Sequence, residues 1–198
     1  FARYTRFVAV GQGDVASVYD VIYQLRGTPH GRISGQVLDG KTFKPASGAS
    51  VFAIADPCNP KVCTRVAPGC GAPFATYDGL ADAARLCSAT ADLPDGRGMV
   101  ETQFETDRGT DFNPDGSFEG PLEPGVYYLV ARRGSGAPLS VPARVVVEVD
   151  KSLKAALVLP VEGRLAFRVL DHEGAPVASR VTIGHCFPEC SVASDCDD

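Results

Sequence analysis

The residues with the most chemical promise are Asp111, Asn113 and Asp115, in the run Asp111-x-Asn113-x-Asp115-Gly116. Alternate oxygens at this spacing converge on a hard cation such as calcium, and the glycine allows the sharp turn such a loop needs. A complete loop also requires a bidentate acid at its twelfth position. That position is Leu122, and Glu123 comes one residue late. The same residues suit an Asp-Gly hairpin turn between two strands, which is the preferred reading. Calcium is therefore the only cofactor with any candidate here, and a weak one.

Cysteine is the second source of chemistry. Of seven, four lie within thirty residues (Cys58, Cys63, Cys70, Cys87) and three near the end (Cys186, Cys190, Cys196). Their spacings differ from the paired knuckles of structural zinc sites. Clusters of this kind favour disulfides and an oxidising compartment, and the odd count leaves one thiol over. Cys186, Cys190 and Cys196, with Asp195, Asp197 and Asp198 beside them, resemble the opening of a small Cys-rich knot, with the acids as an exposed polar tail.

Other constellations fail on spacing. His185 and Cys186 are neighbours, so on a strand they point to opposite faces and cannot exchange a proton. No Gly-x-Ser-x-Gly surrounds a serine, and Gly11-x-Gly13 lacks the third glycine of a dinucleotide loop. Tyr4, Tyr19, Tyr23, Tyr127 and Tyr128 read as core or helix-seam residues before they read as a binding surface. No residue is assigned a catalytic role.

Bulk properties narrow the class. A formal charge of −5 gives no case for nucleic acid or an anionic membrane. Between Asp95 and Glu123 eight acids face two arginines, a local charge of −6 that suits a solvated loop face. The chain has 21 Gly, 15 Pro and one Met, a bias toward short strands and tight turns. No apolar run is long enough for a membrane span. Residue 1 is Phe and no signal peptide is visible, so we expect a processed piece of a longer exported protein.

These residues need elements to position them. Phe1 to Gln12 alternates loosely and predicts a strand. Asp14 suits an N-cap for a helix whose stripe is Val15, Val18, Ile22 and Leu25, ended by Gly27 and Pro29. Strands are predicted at Ile33–Asp39, Ser50–Ala55, Met99–Thr106, Ser117–Leu122, Val126–Arg132, Arg144–Val149, Lys154–Leu159 and Arg164–Leu170. Val126–Val130 is apolar on both faces, as a central strand should be. Between residues 57 and 97 lies a Cys-rich insertion, with a short helix predicted at Asp78–Cys87.

The chain also repeats itself. GRLAFRVLDHEGAPVASRVTIG, from Gly163, shares Gly-Arg, Val-Leu-Asp, a Gly turn and a second β-branched strand with GRISGQVLDGKTFKPASGASVFAI, from Gly31. The expected organisation is a strand and helix over 1–30, a sandwich over 31–161, and the start of a second sandwich repeat with a Cys-rich tail over 162–198. Two strands cannot bury a core of their own, so that second copy is expected to be cut off or to complete another chain's sheet.

Gly35-Gln36-Val37-Leu38-Asp39, Ser47-Gly48-Ala49-Ser50-Val51, Asn113-Pro114-Asp115-Gly116-Ser117-Phe118 and Pro124-Gly125-Val126-Tyr127-Tyr128-Leu129 together resemble the carboxypeptidase regulatory-like domain. The resemblance covers about Arg32 to Pro160. It implies an all-β, antiparallel Greek-key sandwich of transthyretin- or immunoglobulin-like type, usually an accessory module of exported bacterial proteins. A looser likeness links GDVASVYDVIYQLRG, the sandwich and GRLAFRVLD to the front end of polymerase-and-histidinol-phosphatase-type metallohydrolases. In those the His-rich metal site lies downstream; this chain has only His30, His172 and His185.

The first expectation is thus a non-catalytic module, secreted, periplasmic or at the cell surface, that links or supports neighbouring domains or copies of the same chain. The second is the accessory front of a secreted metal-dependent hydrolase. The third is a calcium- or sugar-binding module.

Overall fold

Two kinds of apolar pattern build this molecule, strands with one buried face and strands buried on both. The computed structural model describes residues 8, 10–11, 13–59, 63, 69–87, 100–106, 115–161 and 168–177. They fall into two units, residues 1–162 and 163–198. In the first, the elements are α1 (Val15–Arg26), β1 (Gly31–Leu38), β2 (Ala49–Ala55), α2 (Tyr77–Cys87), β3 (Val100–Glu105), β4 (Ser117–Leu122), β5 (Gly125–Arg133), β6 (Ala143–Val147) and β7 (Ser152–Val158).

The strands form two sheets, one ordered β4-β1-β7 and one ordered β3-β2-β5-β6. Ile33 and Val37 from β1, Phe118 from β4 and Leu157 from β7 meet Val51, Phe104, Leu129 and Val145 in one core between the sheets. This is an all-β, sandwich-like arrangement with two helices. As the two-faced pattern predicts, β5 is internal, between β2 and β6. Its Tyr127 and Leu129 enter the core between the sheets, while Tyr128 and Val130 enter a second cluster on the outer face. Pro121 lies in β4, an edge strand paired only to β1, where its missing N–H interrupts nothing on the far side.

One correction concerns strand direction. The sheets are not antiparallel throughout, because β1 runs parallel to β7, with Arg32 opposite Ser152 and Leu38 opposite Val158. Parallel neighbours need a long crossover. Here nearly the whole sandwich intervenes between the two strands, which no local pattern around β1 encodes.

A second correction concerns α1. Its cap is as expected: Asp14 Oδ1 accepts from Ser17 N at 2.9 Å, and Gly27 ends the helix at φ 64°. Its buried face differs. Ala16, Ser17 and Tyr23 are buried, whereas Val15 and Leu25 are 47% and 54% exposed. The cause is close approach. A Cβ on Gly120 of β4 would lie 2.8 Å from the Ala16 Cβ and as near to the Phe104 ring. Helix and sheet are so close that only a small side chain fits between them, and Val15 and Leu25 turn outward while Val18 and Ile22 are half-buried. Asp14 Oδ2 also accepts from Glu105 N at 3.0 Å, tying the helix start to β3, an edge strand. Of the strand expected at Phe1–Gln12, only Val8, Val10 and Gly11 fall among the described residues.

The predicted insertion folds back over the second sheet. Leu80, Ala81, Ala83 and Ala84 of α2, with Phe74, pack on Phe52, Ile54, Tyr128 and Val130. Thr76 Oγ1 accepts from Gly79 N at 3.3 Å, so Thr76 opens this helix and Asp78 falls in its first turn.

In the second unit, residues 168–177 form a turn like one in the first. Leu38 bridges Pro45, and Leu170 bridges Pro176. Asp39 N donates to Lys44 O and Asp171 N to Ala175 O, both within 0.1 Å of each other in length, at 2.8 and 2.9 Å. Asp39 Oδ1 accepts from Lys41 N and Thr42 N; Asp171 Oδ1 accepts from Glu173 N and Ala175 N.

Candidate functional site

The predicted site residues separate into those used up by local structure and those outside the described residues. Asp115 belongs to a turn. Its Oδ1 accepts from Ser117 N at 2.9 Å, its carbonyl accepts from Gln36 Nε2 at 2.7 Å, and Gly116 follows at φ 68°. Hydrogen bonds from the Ser117 side chain and backbone hold the Asp115 carboxyl below its ordinary 3.8. Asp111 and Asn113 lie outside the described residues, as do His185, Cys186, Cys190 and Cys196.

Four cysteines are joined in pairs. Cys58 bonds Cys70 across 12 residues and Cys63 bonds Cys87 across 24. Cys58–Cys70 closes the loop after β2 on itself, and Cys63–Cys87 ties that loop to the end of α2. Their sulfurs are therefore committed to S–S bonds, and none of the four has a thiolate to offer a metal. Two such bonds fit an oxidising compartment. Among the described residues no helix is long and apolar enough to cross a membrane.

Where the tied loop meets the sheet, three strands bring polar groups into one row. Asp56 follows the end of β2, two residues beyond Ile54, so it shares the outer face with Ile54. Tyr128 of β5 is registered opposite Ile54 on one side and opposite Arg144 of β6 on the other. The result is a carboxylate, a phenol and a guanidinium side by side. Cys58 and residues 71–73 wall the row on the insertion side, leaving a cleft of about 210 Å³ open to solvent.

Each member is held differently. The Asp56 side chain is only 8% exposed. Its Oδ1 accepts from Cys58 N at 2.9 Å and its own N–H donates to Val126 O, so the backbone turn fixes its position. Its Oδ2 stands 3.9 Å from Arg144 Nε, an ion pair without a hydrogen bond. The Arg144 side chain is 42% exposed. The Tyr128 ring is buried against Phe74, edge to face at 5.3 Å. Burial pushes the Tyr128 phenol above its ordinary 10, and the Asp56 charge pushes the same way. A backbone hydrogen bond from Phe74, the Arg144 charge and a hydrogen bond from the Arg144 side chain oppose that rise without cancelling it. At neutral pH Tyr128 therefore keeps its proton and can donate.

No family model matches this chain, and no curated protein matches it. Among solved structures it is similar to a streptococcal ancillary pilin, with 18% identity over 67% of this chain and a TM-score of 0.30. The chain spans 30% of that pilin's length. It is also similar to the dioxygenase domain of a dioxygenase carbohydrate-binding protein fusion from the cellulolytic bacterium Streptomyces sp. SirexAA-E. There the identity is 14%, the coverage 68% of this chain and 82% of that one, and the TM-score 0.31. Likenesses at this level carry no argument about what the chain does.

Sequence reasoning missed the Asp56–Tyr128–Arg144 row. Each residue alone is unremarkable: an acid before Pro57, one tyrosine of six, an arginine among valines. Their meeting depends on the β2–β5–β6 register, which sets Ile54 and Arg144 opposite Tyr128, residues 74 and 16 apart, without any local motif. One signal was available. Arg144 opens a strand of valines, and a cation beside a two-faced central strand needs a partner.

Proposed function

We propose that this chain is an exported, non-catalytic β-sandwich module that supports or links neighbouring domains or copies of itself at a cell surface. The observation that carries this reading is the doubly cross-linked insertion over the outer face of β2 and β5, in which Cys63–Cys87 ties the end of α2 to the loop before it and Cys58–Cys70 closes that loop. A module that bears load outside the cell gains from such a clamp, because cross-links restrict the unfolded chain, the more so the longer the loop they close. In finer detail we assign the sandwich to the carboxypeptidase regulatory-like, transthyretin-like group with Greek-key connections. The supporting residues are Gly35–Asp39, which carries the β1 turn, and Asp115–Phe118, which opens β4.

The test uses the parent protein in the cells that make it. A membrane-impermeant amine label applied to intact cells should modify the exposed Lys41, Lys44 and Lys151, and Cys58, Cys63, Cys70 and Cys87 should resist alkylation until reduced. Recovery of the chain unlabelled, with those four thiols free, would overturn the reading.

A further inference from the structure

The row formed by Asp56, Tyr128 and Arg144 has more polar capacity than the fold consumes. Asp56 is nearly buried, and a carboxylate so placed is costly unless its oxygens are satisfied. One oxygen is satisfied by Cys58 N. The other faces Arg144 across 3.9 Å, and among the described residues no hydrogen bond reaches it. A charge-assisted hydrogen bond would bring the two groups to about 2.7–2.9 Å. Instead the carboxylate and the guanidinium border an open cleft, with the Tyr128 hydroxyl between the strands that carry them.

The charges decide the ligand class. Asp56 and Arg144 offset each other, so neither an anion nor a cation gains a net field in the cleft. The site favours a neutral group that donates to Asp56 Oδ2 and accepts from Arg144 through adjacent atoms. Vicinal hydroxyls do both, since each hydroxyl is a donor and an acceptor. The opposite wall suits the same ligand: Ala72, the Pro73 ring and the Cys58 side chain offer an apolar surface for the C–H face of a sugar ring. At about 210 Å³ the cleft falls below the 300–1,000 Å³ of drug-sized pockets and has room for one ring held at its edge.

We propose that this cleft is a carbohydrate-binding site that holds the vicinal hydroxyls of a single sugar residue between Asp56 and Arg144. The site is independent of whether the module links domains or stands alone. Cys58–Cys70 forms part of its wall, so binding also requires the oxidised insertion.

The test is a titration of the full, oxidised chain by ¹H–¹⁵N spectroscopy with methyl mannoside, methyl galactoside and methyl glucoside, and with acetamide as the amide control. At least one glycoside should give saturable shifts centred on Cys58, Tyr128 and Arg144, with a millimolar Kd. Arg144→Gln, on the half-exposed edge strand, should weaken that glycoside at least tenfold while the rest of the spectrum stays unchanged. Asp56→Asn is the companion variant and should weaken it similarly. Saturation by acetamide alone would replace the sugar with an amide-bearing ligand and overturn the proposal. So would the absence of saturable shifts with all three glycosides, or equal affinity in Arg144→Gln.

Discussion

Tyr128 is the residue at which packing and protonation are most tightly joined. Its ring fills the cluster under α2 and its hydroxyl titrates late because burial disfavours the phenolate. An unfolded chain ionises its tyrosines near pH 10. Between that value and the higher folded one, the folded state holds the extra proton, so stability is complete below about pH 10 and falls as pH rises through the folded value. Tyr128→Phe keeps the ring against Phe74 and removes the proton. Urea unfolding from pH 8 to pH 11 should therefore show a shallower alkaline decline in the variant than in the parent; parallel declines would refute the buried-phenol account. Asp14 carries a different double duty, since its two oxygens accept from Ser17 N and Glu105 N. Losing an N-cap costs about 1 kcal/mol, and the freed Glu105 N–H adds a further loss. Asp14→Ala should lower stability by about 1–2 kcal/mol in the same unfolding assay, with Asp14→Asn intermediate. The cap was legible from the sequence because it is local. The Glu105 contact was not, because it joins residues 91 apart.

At the scale of elements, the strands were legible and the contacts of the helices were not. Alternation and turn residues located β1 to β7 to within a few positions, because side-chain period and turn chemistry are local. The apolar stripe of α1 pointed to the wrong face, since Gly120 allows Ala16 an approach that overrides the preference of Val15 and Leu25 for burial. For α2 the cysteines announced a stapled loop, but nothing local announced that Leu80 and Ala84 would roof Phe52 and Ile54. That roof makes a prediction. Closing a loop of 24 residues restricts the unfolded chain by about 3 kcal/mol. Replacing both Cys63 and Cys87 by Ala should cost about that much. The inner core between the sheets lies away from the cap, so the variant should keep its β-sheet circular dichroism while it gains dye binding at the uncovered outer face. Loss of the sheet signal together with the cap would mean that the sandwich does not form without it.

At the scale of the molecule, one turn of the sequence repeat has a structural counterpart. Val-Leu-Asp followed by a Pro-Ala or Ala-Pro segment closes a similar bridged turn at Asp39 and, one residue shorter, at Asp171, with the carboxylate oxygen capping backbone N–H groups each time. A turn of this kind is specified by its own residues, which is why it could be read from the chain, whereas the parallel pairing of β1 with β7 joins strands over a hundred residues apart and could not. Among the described residues, every member of the cluster between the sheets lies between Ala16 and Leu159. The described part of the second unit is a solvent-exposed turn, with Leu170 and Val177 each more than a third exposed. A chain ending at Glu162 should consequently unfold as cooperatively as the full chain. For a domain of this size 1 kcal/mol moves the Tm by about 2–4 °C, so the two should agree within about 2 °C under oxidising conditions. Calorimetry on both would check it. A drop of 5 °C or more, or a broadened transition, would mean that residues 163–198 contribute to the stability of the first unit, and the boundary at Glu162 would then mark a change in sequence rather than a thermodynamic division.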